Sequence, residues 1–176
     1  MALGNTALDS VQSGGTYNVA VGDAAGTAIT TGDNNVAVGA DALLLNSSGG
    51  SNTALGTSSV RSNTTGSNNV GLGQAALYSN TTASNSTAVG YQAGYTGTTN
   101  GDGTYLGYQA GYSRTGSGNT CVGNYSGRDG TTGTDNTFVG RNSGYTITSG
   151  SKNTIIGMYN GNSGGLDIRT SSNNTV

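Results

Sequence analysis

The chain has 176 residues and a formal net charge of −2, with 33 Gly, one Cys and no Pro, Trp, His or Glu. Charged residues make up 8% of it, and its six Lys and Arg are scattered, so no basic stripe exists to neutralise a nucleic-acid backbone. No apolar run approaches the ~18 residues of a membrane span, and a polar, Gly-rich chain of low charge that is ordered needs a further source of order, of which stacked backbone ladders are the obvious one.

The opening "MALGNTALDS" has neither a basic n-region nor an apolar h-region, so no signal peptide is expected. A five-residue word then recurs: "NVAVG" (18–22), "NVAVG" (35–39), "NTALG" (52–56), "NVGLG" (69–73), "STAVG" (86–90), "GTYLG" (103–107), "NTCVG" (119–123), "NTFVG" (136–140) and "NTIIG" (153–157). Its closing glycines are Gly22, Gly39, Gly56, Gly73, Gly90, Gly107, Gly123, Gly140 and Gly157. They are 17 residues apart except for the 16-residue step into Gly123, and Gly4 precedes the series by 18. Ten units leave no room for a second domain. Helical repeats need a period of roughly 30 residues or more, and a helix disfavours this much Gly, Asn, Ser and Thr. The spacing therefore predicts an all-β fold: a parallel β-solenoid, a β-helix or β-roll, of about ten 17-residue coils over residues 1–163. Coils stacked at about 4.8 Å give a rod on the order of 50 Å long. Residues 164–176, "GGLDIRTSSNNTV", are expected to lead out of the repeat toward a further C-terminal region.

Within the word, position 4 is always aliphatic: Val21, Val38, Leu55, Leu72, Val89, Leu106, Val122, Val139 and Ile156. Position 2 is Val or Thr. Alternation with a period of two predicts a short strand with positions 2 and 4 facing inward. Position 3 runs Ala20, Ala37, Ala54, Gly71, Ala88, Tyr105, Cys121, Phe138, Ile155, and is expected to face outward against something beyond its own coil. Position 1 is mostly Asn (Asn18, Asn35, Asn52, Asn69, Asn119, Asn136, Asn153), a residue whose amides bond up and down a column. The closing Gly marks a turn or a close backbone approach. Segments such as "TTGDNN" and "TTGTDN" read as turns. Three residues after the closing Gly, Ala25, Ala42, Ser59, Ala76, Ala93, Ala110, Ser126 and Ser143 predict a tightly packed column. Loops or strain are expected at the short step before Gly123 and at "GDGTYLG", where Gly103 replaces the Asn.

A coil this thin, without metal or disulfide, looks under-supported alone. Three chains around one axis, burying the outward position-3 column, would support it, so a homotrimer is the expected assembly and a monomeric rod the alternative.

Catalysis requires converging acids, bases, nucleophiles or metals. The eight Asp occupy varied positions of the repeat, and Asp23 and Asp41 are not on one column, so turn capping is their expected role. Cys121 sits where other coils carry Ala, Phe or Ile and reads as a small packing residue. No phosphate-binding loop or Gly-Asp calcium repeat occurs. No enzymatic activity, cofactor or metal is expected. "NTT" at 63–65 and 80–82 are formal glycan acceptors of the kind this composition produces by chance. A tyrosine column, Tyr78, Tyr95 and Tyr112 with Tyr145 in the same register, runs beside Tyr91 and Tyr108. Such rings either stack on one another and stiffen the rod or offer apolar faces to a sugar.

The word "N-T-A-[VL]-G-Y-Q-A-G-Y-x-x-T-T-G" resembles the Gly/Asn/Thr-rich repeat shafts of phage tail-fibre-like proteins, and "N-[TV]-A-[VL]-G" is similar to the "S-V-A-I-G" word of trimeric autotransporter adhesin heads. The resemblance covers almost the whole chain. It implies a trimeric extracellular or virion-borne fibre that presents or contributes to host-surface attachment, with a cell-surface glycan or receptor as partner and no membrane insertion. The period of 17 is longer than the adhesin word implies. A bacterial adhesin or filament subunit is the alternative. A third possibility is an ice-binding solenoid, suggested by the ranked Thr53, Thr87, Thr104, Thr120, Thr137 and Thr154, but interrupted by Val19, Val36 and Val70.

Overall fold

The computed structural model describes residues 2–9, 15–99, 101–163 and 166–176. Met1 and the start of the 164–176 segment thus lie outside the described residues. The fold is the expected β-solenoid. Ten strands form one parallel sheet in sequence order: β1 (Ala2–Leu3), β2 (Val19–Val21), β3 (Val36–Val38), β4 (Thr53–Leu55), β5 (Val70–Leu72), β6 (Thr87–Val89), β7 (Thr104–Leu106), β8 (Thr120–Val122), β9 (Thr137–Val139) and β10 (Thr154–Ile156). Each word position pairs with the same position in the next coil, as in Val38↔Leu55 and Leu55↔Leu72.

The inside and outside of these strands are the reverse of the sequence expectation. Position 3 faces the interior: Ala20, Ala37, Ala54, Ala88, Cys121, Phe138 and Ile155 are fully buried, and Tyr105 is 4% exposed. Positions 2 and 4 face out. Val21, Val38, Val89, Val122 and Val139 are half-buried, while Leu55, Leu72, Leu106 and Ile156 are exposed, Ile156 by 70%. The reason is width. A 17-residue coil encloses a narrow interior, which takes at most one bulky side chain from positions 3 and 9 in each rung, so the aliphatic side chains of position 4 are left outside. The position-3 column therefore cannot be the contact surface of a trimer.

A further column fills the interior. Numbering on from the closing Gly as position 5, position 9 reads Gly26, Leu43, Val60, Leu77, Gly94, Gly111, Gly127, Gly144. It compensates position 3. In the coils of Ala37, Ala54 and Gly71, position 9 is Leu or Val, and those side chains are buried, whereas Ala20 and Ala88 go with Gly26 and Gly94, whose space is taken by Ile29 and Leu8 and by Tyr105 and Leu77. Where position 3 is Tyr105, Cys121, Phe138 or Ile155, position 9 is Gly. A Cβ on Gly94 would lie 2.7 Å from the Tyr105 ring, and one on Gly71 would lie 2.5 Å from Val60 Cγ2. Gly103 is explained the same way: its Cβ would meet the Tyr105 ring at 2.5 Å. The coil at "GDGTYLG" is thus a change of filling, not a loop.

Polar ladders complete the packing. Asn35 Nδ2 donates to Asn18 Oδ1 at 3.1 Å and to the Gly49 carbonyl at 2.9 Å, and its backbone N–H donates to the same Asn18 Oδ1. Asn52, Asn69 and Asn136 repeat the pattern. A second ladder, not foreseen from the sequence, joins Asn46, Asn63 and Asn80 at position 12. Because Asn63 and Asn80 are buried there, a glycan on either "NTT" acceptor is incompatible with the folded coil. The position-8 residues from Ala25 to Ser143 are fully buried, as expected.

The corners are sharp. At Gly39 φ is +129°, and a Cβ would stand 2.6 Å from the Gly56 carbonyl carbon, so both a turn and a close approach exclude a side chain. Left-handed φ also falls on non-Gly residues at positions 7, 9 and 17, including Val60 at 49°. A β-branched residue there is strained, and burial of its side chain between coils holds it. In the position-1 ladder the left-handed residue is the one before the ladder Asn, such as Asn34 or Asn68.

The 16-residue step neither breaks nor shifts the sheet, since Thr104 pairs with Thr120. The omitted residue belongs to the outer turn. The same coil carries Arg114, at position 12, only 1% exposed. Its Nε donates to the Gly127 carbonyl and its Nη2 to the Ile147 carbonyl, each at 3.1 Å, and its guanidinium lies 4.7 Å from the Phe138 ring centroid. Nη1 has no partner.

Residues 166–176 do not simply depart. β11 (Asn162–Ser163) and β12 (Leu166–Asp167) form an antiparallel pair. Then Ile168 is buried in the core, Asn174 Nδ2 joins the Asn ladder at 2.8 Å from Asn153 Oδ1, and Thr175 bridges Thr154 in parallel. The hairpin is an insertion after which the chain resumes the coil.

Candidate functional site

Positions 6, 7 and 10 point away from the interior and bring most of the tyrosines to one side of the rod. Position 10 carries Arg61, Tyr78, Tyr95, Tyr112, Arg128 and Tyr145 in successive coils. Because the rungs are in register, the rings stack: Tyr78 on Tyr95 at 5.0 Å between centroids and 11° between planes, Tyr95 on Tyr112 at 5.0 Å and 6°. Arg61 covers the free face of Tyr78 at 5.6 Å, and Arg128 lies 5.9 Å from Tyr112. The result is a column with a cation at each end, in which the ring faces are already occupied. Partial burial, then the flanking phenols, raise the Tyr95 pKa above the usual tyrosine range. Of the two uses expected for this column, stacking on itself is the one the geometry realises for Tyr78, Tyr95 and Tyr112.

Beside it, Tyr91 stacks on Tyr108 at 5.2 Å and 17°. Position 7 adds an amide ladder, Gln109 Nε2 donating to Gln92 Oε1 at 2.8 Å. Both tracks end at Arg128. Here the stacking changes: Tyr125 meets Tyr108 at 86°, and Tyr145 meets Tyr125 at 72°. Tyr145 therefore stands apart from the ladder it was expected to continue, because Arg128 takes the intervening rung. Arg128 Nε donates to Gln109 Oε1 at 3.1 Å, and Nη1 donates to Asp129 Oδ1 at 3.1 Å and to the Tyr145 hydroxyl. Its guanidinium is 5.6 Å from the Tyr125 centroid and 5.4 Å from that of Tyr145.

Sequence reasoning found six of these tyrosines and missed Tyr125, Gln92, Gln109, Arg61 and Arg128. The signal was present as a register count. Arg128 follows Tyr112 by 16 residues and precedes Tyr145 by 17, which places it in the tyrosine column once the short step is assigned to the turn.

The second exposed feature is the outer face of the sheet. Position 4 presents an aliphatic column from Leu3 to Ile156, and position 2 presents Val or Thr beside it. The adjacent "TT" pairs lie elsewhere, and their first Thr donates to the next coil, as Thr64 Oγ1 does to the Thr81 carbonyl at 3.0 Å. Among the described residues no three Cys or Asp side chains come together as a metal site would require. No protein-family model, curated protein sequence or solved structure matches the chain.

Proposed function

We propose that this chain is a non-enzymatic segment of a trimeric fibre, with its outer sheet face turned toward two further copies of itself. The observation that carries this reading is the unbroken aliphatic column on that face. Parallel sheets are normally covered on both sides, and a contiguous apolar strip of this length marks a contact surface. A second copy is the favoured occupant because it offers the same rung spacing over the same length, and because positions 2 and 4 hold no charged residue. Closed three-fold symmetry would bury a face only two residues wide on every chain. The assembled rod would hold a receptor-binding end away from its base, or bind a surface glycan along its side, as in a phage tail fibre. A bacterial adhesin or filament subunit would use the same shaft.

Sedimentation velocity tests the assembly. The 17.3 kDa chain is expected to sediment as a trimer, and Leu55→Lys with Leu72→Lys is expected to yield a folded monomer. A wild-type monomer at micromolar concentration would remove the reading.

One observation favours an ice-binding solenoid as the second reading: Thr53, Thr87, Thr104, Thr120, Thr137 and Thr154 rank outward on a regular sheet. Val19, Val36 and Val70 interrupt that rank. Thermal hysteresis by the wild-type chain, abolished by Thr120→Lys, would favour this reading over the fibre.

A further inference from the structure

We infer that Arg128 and the rings around it form a binding site for an acidic saccharide, with the sugar carboxylate at Arg128 and Tyr145 and the pyranose against Tyr125 and Tyr145. The inference rests on the surface-attachment reading above and specifies what the rod would attach to.

The site is built rather than incidental. Gln109, Asp129 and Tyr145 hold the guanidinium through Nε and Nη1, and three rings surround it within 5.9 Å of their centroids. Little side-chain entropy remains to be lost when a ligand binds. Nη2 donates to no acceptor among the described residues, and the side chain is 30% exposed. The Tyr145 hydroxyl accepts from Nη1, which leaves its own proton to donate. Nη2–H and the phenol O–H are therefore two donors at one partly exposed place, the arrangement a carboxylate takes through charge-assisted hydrogen bonds.

The neighbouring rings supply the other half of a sugar site. In the neighbouring column a parallel ring or a guanidinium lies on each face of Tyr78, Tyr95 and Tyr112. Tyr125 and Tyr145 are turned by 86° and 72° from their neighbours, so each meets the Arg128 guanidinium, at 5.6 and 5.4 Å, but carries no parallel ring. A pyranose has an apolar C–H face that packs on such a ring.

Asp129 already pairs with Arg128, so the node has no net charge. Affinity then comes from directed donors and ring contact rather than from long-range attraction, which predicts weak salt dependence. Arg61 is the internal contrast. It stacks on Tyr78 and lies 3.6 Å from Asp41, but among the described residues its side chain has no amide partner and no second ring.

Calorimetric titration of the full chain with a glucuronate-containing tetrasaccharide and with its carboxyl-reduced neutral counterpart tests the site. The acidic sugar is expected to bind at least tenfold more tightly. Arg128→Gln should lower it to the level of the neutral sugar, and Tyr145→Phe, which keeps the ring, should weaken the acidic sugar alone severalfold. Arg61→Gln should change neither. Equal binding of the two sugars, binding of neither, or an equal loss in Arg61→Gln would overturn the inference. Sedimentation of the same samples separates the two proposals. A trimer without glucuronate preference removes the site and leaves the fibre, whereas a monomer with the preference removes the fibre and leaves the site.

Discussion

Gly144 lies against the Phe138 ring of its own coil, so closely that a Cβ on Gly144 would stand 2.7 Å from Phe138 Cδ1. Gly144 also has φ +60°. Gly144→Ala therefore meets both steric crowding and left-handed strain, and should destabilise the protein by about 2–4 kcal/mol. Phe138→Ala should cost about 3–5 kcal/mol through the cavity it opens. The double substitution Phe138→Ala with Gly144→Leu recreates the Ala37–Leu43 filling of an earlier coil and should be more stable than Phe138→Ala alone. Urea unfolding of the four proteins checks this order.

Gly130 and Arg114 form a second such pair. A Cβ on Gly130 would overlap Arg114 Cζ, and Gly130 is not in a left-handed conformation. Gly130→Ala should thus destabilise the wild type by about 1–3 kcal/mol and lose most of that effect in an Arg114→Ala background. A double-mutant cycle in denaturant reads the difference. Equal effects in both backgrounds would show that the guanidinium does not occupy the coil interior.

The Asn ladder should be sensitive to truncation. Asn52 donates to Asn35 Oδ1 and to the Gly66 carbonyl, and accepts from Asn69 N and Nδ2. Asn52→Ala strands these groups in the interior and should cost about 3 kcal/mol. Asn52→Ser should cost less, because Ser86 holds the same position and accepts from the Gly103 N–H at 3.3 Å. Thermal unfolding of both variants should preserve that order.

Stability should fall in alkali. Burial pushes the Cys121 thiol up to about 11 from its ordinary value of 9, against a smaller opposite effect of Arg114. Burial also pushes the Tyr105 phenol well above its usual range. Below pH 9 the thiol is protonated in both native and unfolded chains and contributes no slope. From pH 9 to about 11 the native chain keeps a proton that the unfolded chain releases, so unfolding is favoured by ~1.4 kcal/mol per pH unit. Tyr105 adds to this loss above the ordinary tyrosine pKa. Cys121→Ala should remove the thiol's share of the slope, measured as midpoint denaturant concentration against pH.

The interior pairs show why the facing of the strands could not be read from the words. Val-Ala-Val alternates, and alternation assigns two faces without saying which is inside. The larger aliphatics suggested a core at Val38, Leu55 and Leu72. The answer lay in the complementary change at position 9, where Leu43, Val60 and Leu77 give way to Gly94, Gly111 and Gly127 as position 3 grows to Tyr105, Cys121 and Phe138. That covariation along one chain is visible in the letters, but it has meaning only once positions 3 and 9 are known to face each other.

The tyrosines divide in the same way. Their alignment followed from the period, since residues 17 apart on a regular ladder must lie above one another. Occupation of their faces did not, because it depends on how the rings sit across the rod and on Arg128 replacing a ring in the column. The period of 17, the parallel register, the turn glycines and the Asn ladder are local and repetitive, so the sequence by itself determined them: each coil repeats the same backbone problem and the same answer. Which face is buried, how Arg114 is housed and where the aromatic column ends were decided only by tertiary structure. These depend on the width enclosed by a closed coil and on side-chain volumes contributed by positions far apart in the word.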